Sequence, residues 1–77
     1  MRLTETKERE WYCLKSVTMP NKALACRLME MGWVAGTPLK ILKLGKKKSF
    51  VYVSLRGYEL SLGAKVASYI CVKPLQT

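Results

Sequence analysis

The stretch Ala25-Cys26-Arg27-Leu28-Met29-Glu30-Met31-Gly32-Trp33-Val34-Ala35-Gly36-Thr37 marks the change from helix to strand that decides the fold. From residue 22 to residue 31, Leu24, Leu28 and Met31 recur at i, i+4 and i+7, which predicts one apolar stripe on a helix. A helix this short is not stable alone. We therefore expect the stripe to lie on a sheet.

Both ends of this helix carry capping signals. Asn21 suits the N-cap, where its side chain can accept a hydrogen bond from a free backbone N–H group. Gly32 suits the first position after the helix, where a left-handed residue ends it without a Cβ penalty. Gly36 and Pro38 then predict a turn into a strand.

Short strands surround the helix. Residue types typical of strands, divided by turn residues, predict strands over 11–17, 39–44, 49–56, 58–62 and 69–73, with one helical or 3₁₀ turn over 63–68. The apolar alternation changes phase near Lys15-Ser16 and near Ile41-Leu42, which predicts a bulge at each place. The sequence therefore predicts a mainly β fold with one inserted helix, a small SH3-like barrel with a short helical turn before its last strand.

Length and composition indicate one small domain. The chain has 77 residues, of which 49% are hydrophobic and 25% charged, as in globular proteins. We expect a single domain over 1–77, with 1–10 as a polar lead-in of mixed charge. No apolar run approaches the roughly 18 residues that cross a bilayer, and the first ten residues contain no apolar segment typical of a signal peptide. A cytoplasmic location is the expectation.

Side chains that support catalysis are scarce. The chain has no histidine, and all five of its acidic residues are glutamates, three of them within the first ten residues. The commonest general base and the commonest metal ligand are therefore missing. No glycine-rich phosphate-binding motif is present either. We expect no enzymatic activity and no cofactor.

The three cysteines do not form a recognisable site. Cys13, Cys26 and Cys71 lack the C-x-x-C spacing of zinc ribbons and are interpreted as small buried hydrophobic residues in a reducing compartment. Cys13 and Cys71 could face each other if the first and last strands pair. Two thiolates alone make a poor metal site, so no metal ligand is predicted.

The positive charge is unevenly distributed. The formal net charge is +9, and because residues 1–10 are balanced, the whole excess lies in residues 11–77. Its densest part is Lys40, Lys43 and the run Lys46-Lys47-Lys48. Such a field favours nucleic acid, an anionic membrane surface or an acidic protein face. Solubility alone is the other explanation.

Two ordered glycine patterns carry a family resemblance. The first is the Arg27-Leu28 pair followed by Gly32 and, four residues later, Gly36. The second is Arg56-Gly57 followed by a polar-apolar alternation, a small-residue turn and a β-branched strand. Together they resemble the FeoA family, ferrous iron transport protein A, over about residues 3–74. Two features depart from it: residues 7–10 replace a proline-glycine turn, and the hairpin tip at Lys46–Lys48 is unusually basic.

The resemblance implies both a fold and a role. It implies an SH3-like barrel with an inserted helix, and an accessory function in ferrous iron uptake through contact with the permease FeoB and its GTP-binding domain. A related module forms the C-terminal domain of iron-dependent repressors. A free-standing relative of that domain, regulating a partner without touching iron, therefore remains an alternative.

Partner binding is the main functional hypothesis from the residues. The outward helix face and its corner offer Lys22, Cys26, Met29, Glu30 and Trp33, although Met29 and Trp33 could equally belong to the core.

The lysine run is a second candidate. Lys46, Lys47 and Lys48 could contact an anionic inner membrane surface or be only a solvated hairpin tip. The alternative from another class is a nucleic-acid-binding barrel that uses the same lysines and stacks bases on Tyr52, Tyr58 or Phe50. Nucleic acid is the less favoured partner, because the basic and aromatic residues are not interleaved in any recognised RNA motif.

Overall fold

The computed structural model describes residues 1–75, which build a five-stranded antiparallel sheet, one nine-residue helix and one shorter helix. The elements in chain order are β1 (Trp11–Val17), α1 (Lys22–Glu30), β2 (Pro38–Leu44), β3 (Phe50–Leu55), β4 (Tyr58–Gly63), α2 (Ala64–Ala67) and β5 (Ile70–Pro74). The sheet order is β4-β3-β2-β1-β5. The predicted fold class, mainly β with an inserted helix and a short helix before the last strand, is confirmed.

Both predicted bulges are present. The register of β1 against β5 shifts between Leu14 and Ser16, and that of β2 against β3 shifts between Ile41 and Lys43. Each extra residue restores the alternation beyond it, because side chains point to opposite faces with a period of two. As a result Val17 packs against the core despite its phase in the sequence.

The core lies on one face of the sheet. The alternation of apolar residues correctly predicted which side chains of β3 and β5 point inward. In β1, Tyr12 and Leu14 are the first inward side chains. Burying these side chains supplies the main driving force for folding, at roughly 25 cal/mol per Å² of apolar surface. The buried apolar residues are Leu3, Tyr12, Leu14, Leu28, Trp33, Leu39, Ile41, Val51, Val53, Leu55, Leu62, Ala67, Ile70 and Val72.

The first ten residues contribute more than a polar lead-in. A 3₁₀ turn over Leu3–Glu5 places Leu3 in the core, fully buried. Thr6 is also buried, and its hydroxyl donates a hydrogen bond to the Leu3 carbonyl oxygen at 2.7 Å. Arg2 forms a β-bridge with Cys71, so this segment borders the outer edge of β5. The burial of Leu3 and Thr6 was not predicted from the sequence.

Residues 7–10 form a turn without proline or glycine. Arg9 adopts the left-handed conformation, with φ of +67°. The backbone N–H of Lys7 donates to the Tyr12 hydroxyl at 3.0 Å, and that hydroxyl donates to the Glu10 carboxylate at 3.2 Å. Burial, opposed in part by the Lys7 hydrogen bond, raises the pKa of Tyr12. Tyr12 therefore links this turn to the core.

The ends of α1 follow the predicted capping signals. The N–H of Leu24 donates to the Asn21 side-chain oxygen at 3.1 Å. At the other end, the N–H of Gly32 donates to the Met29 carbonyl and the N–H of Trp33 to the Leu28 carbonyl, both at 3.0 Å. With φ of +96° at Gly32, this is a Schellman motif, which satisfies carbonyl groups left free at a helix end.

The contact of α1 with the sheet is smaller than the apolar stripe predicted. Of the stripe Leu24, Leu28 and Met31, only Leu28 is buried; Leu24 is half-buried and Met31 is 36% exposed. The Schellman turn sends Trp33 into the core instead, with the indole 2% exposed. The helix is thus held mainly by Leu28 and by its C-terminal end.

Replacing Gly32 by alanine should destabilise the protein by two separable effects. Alanine at this positive φ costs about 1–2 kcal/mol. In addition, a Cβ at Gly32 would lie 2.2 Å from the Arg56 Cδ, so the Arg56 side chain must move. Gly36→Ala is the matched control, because Gly36 has φ of +94° and a Cβ added there would meet nothing within 4 Å.

Urea unfolding of both variants would measure this difference. We expect Gly32→Ala to lose more stability than Gly36→Ala, and the excess to disappear when Arg56 is also changed to alanine. Equal losses in the single variants would contradict a packing role for Arg56.

Candidate functional site

The C-terminal end of α1 is tied to the sheet by three side chains, Trp33, Thr37 and Tyr58, which we call the α1 anchor. Trp33 Nε1 donates to the Tyr58 hydroxyl at 3.1 Å, and that hydroxyl donates to the Met31 carbonyl at 2.6 Å. The Thr37 hydroxyl donates to the Gly32 carbonyl at 2.9 Å. The anchor therefore satisfies both a buried indole N–H and two carbonyl groups at the helix end.

The β3–β4 turn completes this arrangement. Leu55 pairs with Tyr58, and the two residues between them, Arg56 and Gly57, have φ of +48° and +86°. A two-residue hairpin turn with both central residues at positive φ matches the twist of the strands it joins. The Arg56 side chain covers Gly32. The two sequence patterns that carried the family resemblance thus meet in space.

The predicted contact residues on α1 lie on its solvent side. Lys22, Cys26, Met29 and Glu30 are all exposed, and Met29 reaches 60%. Sequence reasoning missed two further exposed apolar residues close to them, Met31 and Val34 at 41%. Their signal was present in the sequence, since both flank the predicted helix stop at Gly32.

Trp33 does not belong to this surface. Of its two interpretations, the structure shows the core one, so its inclusion among the contact residues is corrected. The physical reason is the Schellman turn, which directs the residue after the glycine back toward the helix and the core. Within the Arg27-Leu28 pair, Leu28 is buried and Arg27 is exposed.

An apolar groove lies beside the first turn of α1. It has a volume of about 320 Å³ and is lined mainly by Met19, Leu24, Val66 and Tyr69. It increases the accessible apolar surface next to the helix.

The lysine tip, Lys46–Lys48, forms a separate surface. It is the turn between β2 and β3, and all three side chains are exposed. Lys47 and Lys48 have φ of +54° and +59°, which is uncommon for residues with a Cβ. The Phe50 ring closes over Gly45 at the base of the tip.

The cysteines do not form a metal centre with one another. In the β1–β5 ladder Cys13 is paired with Lys73 and Cys71 with Ser16, so the two thiols are not directly opposite. Cys26 is exposed, which corrects its interpretation as a buried residue; Cys13 and Cys71 are half-buried. Within residues 1–75 no three metal-ligating side chains come together. The absence of a metal ligand stays a prediction.

The three aromatic residues considered for stacking have different environments. Tyr58 is part of the α1 anchor, and Phe50 covers Gly45. Tyr52 lies on the outward face of β3, where its hydroxyl donates to the Glu59 carboxylate. This hydrogen bond, with smaller contributions from desolvation and from the Glu59 charge, raises the pKa of Tyr52.

Comparison with known families agrees with this architecture. The model of the FeoA domain matches residues 1–74 of the chain. The chain belongs to the FeoA family. This confirms the resemblance inferred from the two glycine patterns, and it places the chain in a family of iron transport proteins. A search among curated proteins found no match.

Solved structures include similar FeoA proteins. FeoA from Chlorobium tepidum is 30% identical, with a TM-score of 0.87 over 99% of this chain and 71% of that one. FeoA from Stenotrophomonas maltophilia, solved with zinc, is 25% identical, with a TM-score of 0.81 over 95% of this chain and 89% of that one. It is described as an SH3 domain protein, which confirms the predicted SH3-like fold.

A repressor shares only the fold. A manganese-dependent transcriptional repressor in complex with manganese is 16% identical, with a TM-score of 0.84 over 97% of this chain and 36% of that one.

None of the helices within residues 1–75 has the length and apolar content that a membrane crossing requires.

Tyr58→Phe should weaken the α1 anchor. It removes the acceptor of the Trp33 indole N–H and the donor to the Met31 carbonyl, so we expect a loss of about 1–2 kcal/mol in unfolding free energy. The amide of Trp33 should also exchange its hydrogen faster, because the helix end loosens.

Tyr52→Phe is the control for this change. It removes the same hydroxyl from the outward face of β3, where the bond to Glu59 is exposed to solvent, and should cost much less. If both variants lost the same free energy of unfolding, the hydrogen bonds of Tyr58 would contribute no more than an exposed hydroxyl does, which would contradict the anchor.

Proposed function

We propose that this protein is a cytoplasmic accessory protein of ferrous iron uptake that acts by contact with the cytoplasmic GTP-binding domain of a FeoB-type permease. Membership of the FeoA family supports the transport role. The observation that carries the contact is the solvent side of α1, where Met29 is 60% exposed among the outward residues Lys22, Cys26 and Glu30, while Met31 and Val34 are exposed around the end of the helix. We call this the α1 contact surface.

The composition of this surface suits a protein partner. Three of the six large hydrophobic residues that are exposed within residues 1–75 lie between positions 29 and 34. Methionine has a flexible, polarizable side chain that adapts to a partner, and it is enriched at protein interfaces. These three leave apolar area exposed around the last turn of α1, which a protein partner would cover.

The surface is also well ordered for binding. The Schellman motif and the α1 anchor hold the residues around Gly32 through backbone and side-chain hydrogen bonds. A rigid site loses less conformational entropy on binding than a mobile one, so more of the contact energy remains as affinity. The chain has no glycine-rich phosphate-binding motif, and we assign GTP hydrolysis to the permease.

Met29→Glu tests the contact. It places a charge on the most exposed methionine of α1, and we expect binding to the permease's cytoplasmic domain to weaken about tenfold or more, because a charge must then be desolvated at the interface. Titration calorimetry or a quantitative pull-down would measure the change.

Ser61→Glu is the matched control. Ser61 is exposed on β4, outside the α1 contact surface, so this variant adds the same charge elsewhere on the molecule. It should bind almost normally. If Met29→Glu binds normally while its unfolding curve is unchanged, the α1 contact surface is not the docking site.

The lysine tip supports a second contact, with the membrane that holds the permease. All three side chains of Lys46–Lys48 project into solvent. Glu8 is the acidic residue bound to β2 near this tip, and its carboxylate accepts a hydrogen bond from the Leu44 N–H at 2.8 Å. Near an anionic leaflet each lysine contributes about 1 kcal/mol of attraction. We therefore propose that the tip faces the inner membrane surface in the complex.

Changing all three tip lysines to serine should reduce binding to anionic vesicles at low salt by about two orders of magnitude, since three contributions of about 1 kcal/mol are lost. Vesicle sedimentation would measure it, with neutral vesicles as the reference. Unchanged sedimentation of the triple variant would refute the membrane contact and leave the permease contact unaffected.

A further inference from the structure

The outward face of the sheet carries an exposed tryptophan that the proposed function does not use. Trp11 is 50% exposed, although it lies within β1 and not in a loop. Its partner across the β1–β2 ladder is Lys40, which is itself paired with Ser54 of β3. Trp11 and Lys40 are thus direct neighbours on one face, with Cβ atoms about 5 Å apart in such a pair.

The bulge in β2 brings a second lysine onto this face. Without an extra residue between Ile41 and Lys43, side chains would alternate and Lys43 would point inward beside Ile41. The register shift instead pairs Lys43 with Tyr52 of β3, on the same side as Lys40 and its partner Ser54. Bulges are known to redirect side chains in this way.

These contacts define a surface of alternating rings and ammonium groups, which we call the outer face: Trp11, Lys40, Lys43 and Tyr52. From the strand spacing and rise, the Trp11 and Tyr52 backbones are about 12 Å apart, and the two lysines lie between them. The one acidic residue paired into these rows is Glu59, opposite Ser54, and its carboxylate is engaged by the Tyr52 hydroxyl.

We propose that the outer face binds single-stranded nucleic acid, with bases stacked on Trp11 and Tyr52 and phosphates held by Lys40 and Lys43. Aromatic rings on strands, combined with lysines that follow the backbone, bind single strands without sequence preference. The net charge of +9 complements a polyanion.

Charge complementarity and ring placement together favour this partner over others. An acidic protein face would be matched by lysines alone and does not require exposed rings between them. An anionic membrane is matched by the lysine tip, whose three exposed lysines need no aromatic ring beside them. Of the stacking residues expected from the sequence Tyr52 alone takes part, since Phe50 and Tyr58 are committed to packing and anchoring, and Trp11 was not expected.

Fluorescence tests the proposal on the whole chain. Oligothymidylate and oligouridylate are added while tryptophan emission is recorded; because Trp33 is 2% exposed, quenching reports on Trp11. We expect quenching with both oligonucleotides, and binding by anisotropy of a labelled strand. Trp11→Ala should weaken binding at least about fivefold, whereas Trp11→Phe, which keeps a stacking ring, should retain most of it.

The salt dependence of binding distinguishes direct contacts of Lys40 and Lys43 from the effect of overall charge. The double variant Lys40→Ser, Lys43→Ser should lower the slope of log affinity against log salt by about 1.4, since each phosphate contact to a single strand contributes about 0.7. The matched control is Lys46→Ser, Lys47→Ser, which removes the same charge from the lysine tip and should change the slope by less than half as much.

Several outcomes would overturn the proposal. These are the absence of binding at about 50 mM salt, an unchanged affinity in Trp11→Ala, or equal effects of the two lysine pairs. Quenching of Trp11 by vesicles of phosphatidylserine and phosphatidylcholine, without quenching by oligonucleotides, would also overturn it and assign the outer face to a membrane. Thermal unfolding of each variant verifies that its fold is intact.

Discussion

The hydrogen bonds of the Tyr58 hydroxyl hold the helix of this protein in place. That one group accepts from the Trp33 indole and donates to the Met31 carbonyl, joining the core, the helix end and the β3–β4 hairpin. The helix needs this attachment because Leu28 is its one fully buried side chain. A helix of nine residues with so little buried surface is unstable by itself. Tertiary contacts at its last turn therefore replace the broad apolar contact of an ordinary surface helix.

This mode of attachment separates the three surfaces that we propose as binding sites. Since α1 is held at its C-terminal end, its solvent side and the exposed methionines near Gly32 remain accessible to a partner. The lysine tip belongs to a different loop, and the outer face to the strands. Three chemically distinct surfaces, one of mixed apolar and charged residues, one purely basic and one basic and aromatic, thus occupy a chain of 77 residues. Each can be altered by substitutions that leave the core unchanged.

Much of the fold was predictable because its determinants are local. Asn21 and Gly32 predicted both ends of α1, and the changes of phase in β1 and β2 predicted both bulges. The candidate site was predictable only in part. The exposure of Met29 and the burial of Trp33 were open alternatives, and the burial of Leu3 within a polar segment was missed. Burial depends on what other segments cover, which periodicity within one segment cannot show.

The sequence by itself determined the order of helix and strands, the family and the excess of positive charge. These follow from residue types and spacings that act over a few neighbours, such as a glycine at positive φ or an alternating strand. The tertiary structure alone decided which surfaces exist. Gly32 meets Arg56, Trp33 meets Tyr58, and Trp11 lies beside Lys40 because the sheet pairs segments that are distant in sequence. Such pairings depend on the packing of the whole core, so no single stretch of the chain contains them.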